Sequence, residues 1–202
     1  MSERQIESGA NKYNGKNLLD EKFLSEVLCD KEACQYVLRK LLSVDDLTAK
    51  KVVDRVAVKN PQVSGEIVDV SAVDGRGFTW EIAVCRTDQV EPLHSRYEFA
   101  RIVKRLEDDG EGYSDTREMA VVYIGAVDHY GKGENIYTVR SYIKEMDKPL
   151  DDGTRIIFAN AEADDGSEAA AMLQYFKTAD PENMSQSALS ERVRQLKLDA
   201  AQ

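Results

Sequence analysis

Long apolar runs are missing from this sequence. No stretch approaches the roughly 18 residues of a membrane span, and the polar opening MSERQIESGANKYNGKN lacks the apolar segment of a secretory signal. Neither a membrane location nor export is expected, and a cytoplasmic protein is. Cysteine is scarce and unpaired in pattern. Cys29, Cys34 and Cys85 form no even set and no C-x-x-C, and no histidine follows at zinc-finger spacing, so they read as reduced thiols. Positive charge is in deficit too, with 27 Lys and Arg against 37 Asp and Glu and a net charge of −10. That balance argues against holding nucleic acid by bulk electrostatics, which needs clustered cations, and leaves room only for a local basic face. There is no internal repeat and no low-complexity tract.

What is present is a chain of 202 residues, 42% hydrophobic and 32% charged, enough for one α/β core and too short for two. Residues 1–16 carry almost no apolar side chains and are expected to form a flexible tail. Residues 17–202 are expected to form the domain. From Leu18, apolar residues recur at three-and-four spacing through Leu19, Phe23, Leu24, Val27 and Leu28, and again from Cys34 to Leu42. This predicts two short helices broken around Asp30. β-Branched residues from Val52 to Val58 predict a strand stopped by Asn60-Pro61. Residues 65–73 and 78–85 flank Asp74-Gly75-Arg76-Gly77, the pattern of a β-hairpin.

Pro92 can open a helix to about Asp108 with Phe99, Ile102, Val103 and Leu106 as its apolar stripe. Residues 119–127 and 155–159 read as strands covered on both faces. A turn at Asp151-Asp152-Gly153, an alanine-rich helix over 167–177 and a last helix with Leu189, Val193 and Leu196 inward complete the chain. Together these elements predict an α/β (α+β) fold with a mixed sheet packed against helices.

The hairpin is where chemistry could reside. A hard cation such as Mg²⁺ takes oxygen ligands, polarises a phosphate and activates water, so it needs converging carboxylates. Asp69 lies in the first arm and Glu81 in the second, and the hairpin register decides whether they share a face. In the second arm Thr79, Glu81, Ala83 and Cys85 share one face, and Trp80, Ile82 and Val84 share the other. On an arbitrary hairpin, two such acids are more often solvated or hydrogen-bonded than catalytic.

Several stretches, in order, resemble the PD-(D/E)XK nuclease family transposases of bacteria. They are Phe23-Leu24-Ser25-Glu26-Val27-Leu28, Glu32 to Leu38, Asp69-Val70, Arg86-Thr87-Asp88, Arg96-Tyr97 and Asp128 with Gly131-Lys132-Gly133 and Tyr137. Asp151-Asp152-Gly153, Gln174 to Ala179 and Leu189 to Arg194 continue the series. The resemblance covers about residues 20–198. It implies a restriction-endonuclease-like core, Mg²⁺ as cofactor, DNA as partner and a metal-binding role for Asp69; it leaves a homodimer open and names no protein partner.

One departure falls in the catalytic motif. Where the family reads I-E-V-Q-R-T-D, this chain has Ile82-Ala83-Val84-Cys85-Arg86-Thr87-Asp88. Alanine offers no ligand atom, and cysteine is a soft donor that Mg²⁺ avoids. Glu81, one step of two residues away on the same face and displaced by about 6.5–7 Å, is the substitute metal ligand to weigh. Glu66 would point to the opposite face. Arg86, Arg96, Arg101, Lys104 and Arg105 could contact phosphate; equally, Glu91, Glu98 and the run Glu107-Asp108-Asp109 could balance them as solvated charge on a helix exterior. His94 and His129 show no partner at triad or metal spacing, and Cys85 has no adjacent base. Two readings follow. One is a metal-dependent endonuclease using Asp69 and Glu81; the other is a pseudoenzyme that keeps the fold for DNA binding or protein interaction.

Overall fold

The computed structural model describes residues 12–56, 66–89, 92–111 and 117–198. Two helices come first, α1 (Glu21–Leu28) and α2 (Lys31–Leu42). Asp20 and Asp30 start them by accepting from the backbone N–H of Phe23 (3.1 Å) and Ala33 (2.9 Å), which satisfies amides that no helical carbonyl can reach. Three antiparallel strands follow: β1 (Thr48–Val56), β2 (Glu66–Val73) and β3 (Thr79–Arg86). The expected end of the first strand at Asn60-Pro61 lies outside the described residues.

Helix α3 (Pro92–Asp108) crosses over to β4 (Arg117–Gly125), which runs parallel to β3. Beyond β4 the chain makes a short edge strand, β5 (Ile136–Val139). A small excursion follows, with β6 (Tyr142–Ile143), a 3-10 turn (Lys144–Met146) and β7 (Lys148–Pro149). It returns as β8 (Thr154–Asn160), parallel to β4, and ends in α4 (Glu168–Thr178) and α5 (Ala188–Leu198).

The six-stranded mixed sheet has the order β1-β2-β3-β4-β8-β5 and is flanked by helices. An antiparallel hairpin joined through a crossover helix to parallel strands is consistent with a restriction-endonuclease-like core.

The two faces of the sheet are covered unequally. Helices α1, α2, α4 and α5 pack on the face that carries Val68, Val70, Trp80, Ile82, Val84 and Val122, forming the main core. The other face bears a smaller cluster, in which Ile102 and Leu106 of α3 meet Ile67, Ala83, Cys85 and Tyr123. Strand alternation alone produces this division.

Part of the expected tail is ordered. Tyr13 is buried, stacks on Phe23 at 4.7 Å between ring centroids and donates to Glu26 at 2.8 Å. One aromatic ring thus anchors a segment that its composition would leave loose. Residues 1–11 lie outside the described residues.

Candidate catalytic centre

The hairpin register places the residues that matter. Asp69 pairs directly with Ala83, Ser71 with Glu81, and Ile67 with Cys85, so all six side chains lie on the face beneath α3. The turn that fixes this register is built on Asp74. Its buried carboxylate accepts from the backbone N–H of Arg76 and Phe78 (both 3.0 Å) and from the Trp80 indole (3.2 Å). Gly77, at φ 84°, supplies the positive φ that a side chain would resist.

Asp69 and Glu81 therefore share a face, on neighbouring strands. What surrounds them is arginine. Arg101 of α3 forks onto Asp69, Nη1 donating to Oδ2 at 2.9 Å and Nη2 to Oδ1 at 2.5 Å. Arg55 of β1 donates Nε to Asp69 Oδ2 at 3.2 Å, and Arg105 Nη1 lies 3.7 Å from the same oxygen. Glu98, fully buried on α3, accepts from Arg55 Nη2 and Arg101 Nε, both at 2.9 Å. His94 joins its other side, with Nε2 at 3.3 Å from Glu98 Oε1 and Nδ1 at 3.0 Å from the Tyr123 hydroxyl. Glu81 accepts from Ser71 Oγ at 2.8 Å and from Arg105 Nη2, and Arg117 Nη1 of β4 lies 3.8 Å away.

Burial and ion pairing compete at these groups, and the winner differs. At Glu98, burial pushes the carboxyl up, but His94, Arg101 and Arg55 together pull it below its ordinary range. At Glu81, burial prevails over Ser71, Arg105 and Arg117 and holds the carboxyl above that range. Arg101 is raised: burial opposes its charge, and Asp69 and Glu98 more than offset it. Burial also pushes the Cys85 thiol up, as expected of an inert core thiol.

Chemically, the centre is an ion-pair cluster with both oxygens of Asp69 already engaged by guanidinium. Beside it, Ala83 presents a methyl group, which offers a metal ion no ligand atom. Among the described residues, no group of three or more His, Cys, Asp or Glu is placed to hold a metal ion. Glu66 begins β2 with its backbone N–H donated to Glu21 and lies on the opposite face from Asp69. An open cleft of about 410 Å³ adjoins the cluster, lined among others by Lys50, Lys51, Asp69, Glu81, Arg105 and Asp109.

The five cations proposed from sequence to touch phosphate separate into three groups. Arg101 and Arg105 turn inward onto the acids. Arg86 is a structural tie, its Nε donating to the Leu19 carbonyl and its other nitrogens to Asp88, each at 2.8 Å. Arg96 is exposed, and Lys104 is exposed and paired with Asp108.

Glu98, which one of the two sequence readings places on the helix exterior as a counter-charge, lies inside the cluster, because α3 turns its Glu98–Arg101–Arg105 side toward the sheet. Arg55, Arg117 and Tyr123 were not singled out by sequence. Only Glu98 and Arg101, three apart on one helix, left a readable trace.

Comparison with protein families, with curated proteins and with solved structures finds no match.

Proposed function

We propose that this chain descends from a PD-(D/E)XK nuclease family transposase whose Mg²⁺-dependent DNA-cleaving centre is impaired, and that it persists as a non-catalytic DNA-binding or protein-interaction module. The observation that carries this reading is the bidentate Arg101–Asp69 pair, reinforced by Arg55. A divalent ion about 4 Å from one guanidinium is opposed by about 8 kcal/mol at an effective dielectric constant near 20. Four guanidiniums, of Arg55, Arg101, Arg105 and Arg117, face the four carboxylates of Asp69, Glu81, Glu98 and Glu111, so no negative excess remains to attract one. The carboxylate that could tip the balance is replaced by Ala83. DNA is the ligand this reading expects, with Arg96 and Lys104 on the outer side of α3 as its contacts.

A second reading keeps activity, with Asp69 and Glu81 as metal ligands once the arginines swing onto substrate phosphate. The shared face of the two acids favours it.

Plasmid nicking in Mg²⁺ and in Mn²⁺ separates the two. We expect the natural chain and Asp69→Asn to leave supercoiled DNA equally intact. Nicking by the natural chain that disappears in Asp69→Asn would overturn the non-catalytic reading. The double variant Ala83→Glu, Cys85→Gln, which restores the family's residues, reports whether the remaining geometry still supports cutting.

A further inference from the structure

Among the described residues, α3 is the one helix packed on its face of the sheet. The opposite face is buried by four helices around a core that includes Phe23, Leu41, Trp80 and Phe176. Under α3 the apolar contact is small, with Ile102 and Leu106 from the helix and Phe99 partly buried beside them. Beside it the helix turns inward the charged set Glu98, Arg101 and Arg105, together with His94, which bonds to Glu98 and to the Tyr123 hydroxyl. Attraction within such pairs is largely offset by the cost of stripping water from the charges. Lifting α3 therefore gives up a small apolar cluster and returns ions to water, while the main core stays intact. The free energy of a local opening follows the apolar contact it breaks.

We propose that α3 is a lid that lifts from the sheet without unfolding the rest of the protein, and that its lifting opens the Asp69–Ala83–Cys85 face to solvent. With the lid closed these residues are 6%, 0% and 4% exposed. Asp69 already borders the open cleft, so opening is the step that admits a ligand or an ion to Ala83 and Cys85, whether or not the face retains any cutting chemistry.

The three cysteines report on this directly. Cys29 is exposed, Cys85 is buried beneath α3, and Cys34 is buried in the main core with its thiol pushed up to about 12 by burial. Buried thiols react only when exposed. The test is labelling of the full chain with 4,4′-dithiodipyridine across sub-denaturing urea, with each site read by mass spectrometry, on the natural sequence and on Val193→Ala.

Val193 belongs to α5 in the main core. Shortening it raises global unfolding without altering the balance between closed and lid-open forms. We expect Cys29 to react at once and Cys85 to react at least about tenfold faster than Cys34 without urea. Val193→Ala should speed Cys34 roughly tenfold and leave Cys85 within about twofold. Equal rates at Cys85 and Cys34, or a common acceleration of both by Val193→Ala, would show that α3 opens only with the whole protein. Should Val193→Ala not fold, the two rates in the natural chain still decide. Plasmid nicking is a separate readout, so failure here and failure of the non-catalytic reading are told apart.

Discussion

Asp69 and Arg101 show how the meaning of a residue depends on its partner. An aspartate at this point of a hairpin can serve a metal ion; here both of its oxygens accept from Arg101. Removing one member of a buried pair leaves the other charge uncompensated, which costs far more than the pair contributes. Arg101→Ala strips a guanidinium from Asp69 and from Glu98 at once, and we expect it to lower stability by about 3–5 kcal/mol in urea unfolding. A loss below about 1 kcal/mol would mean that water already screens these contacts. The sequence displayed the arginine and the aspartate, thirty-two positions apart, without any sign that they meet.

At the scale of elements, local chemistry explains boundaries well and pairing poorly. Asp30 directly follows Cys29, the C-cap of α1, and caps α2 by accepting from the Ala33 N–H. We expect Asp30→Ala to cost about 0.5–2 kcal/mol, read as a lower unfolding midpoint with an unchanged denaturant slope. A midpoint equal to that of the natural chain would show that packing, rather than capping, sets the joint.

Periodicity located α1 to α5 and the strands β2, β3, β4 and β8, since each carries a three-and-four or an apolar pattern long enough to read. It passed over β5, whose four residues pair with β8, and over the excursion that follows. Strands that short have too few side chains to display an alternation. Tyr13 escaped for a related reason, because a single ring makes no pattern yet buries enough surface to fix its neighbours.

Across the whole molecule, many carboxylates are held below their ordinary range. Asp74 is one, lowered by Arg76, Trp80 and backbone N–H groups against the upward push of burial; Glu98 is another. A depressed carboxylate contributes stability that is fully present above its unfolded pKa and is lost as pH falls through its folded value. Glu81 has the opposite sign: with its carboxyl raised, its contribution is present below its unfolded pKa and is lost as pH rises through its folded value.

Depressed groups are the more numerous, so the urea midpoint should fall as pH drops below about 4. Glu98→Gln should flatten that fall. A midpoint unchanged between neutral pH and about pH 3.5 would refute the assignment. Among the described residues, no helix is long and apolar enough to cross a membrane, in line with the absence of apolar runs.

The order of side chains along each strand and helix was set by the sequence alone, because periods of 2 and 3.6 are local properties of the backbone. Hence Glu81, Ala83 and Cys85 could be assigned to one face of the second arm, whereas the face of Asp69 waited on the hairpin register that the structure supplies. Which charge that face would meet was decided by the tertiary structure. The crossover of α3 and the pairing of β1 with β2 bring Arg55, Arg101 and Arg105 onto the acids. Ion pairing depends on distance through space, and spacing along the chain does not report it.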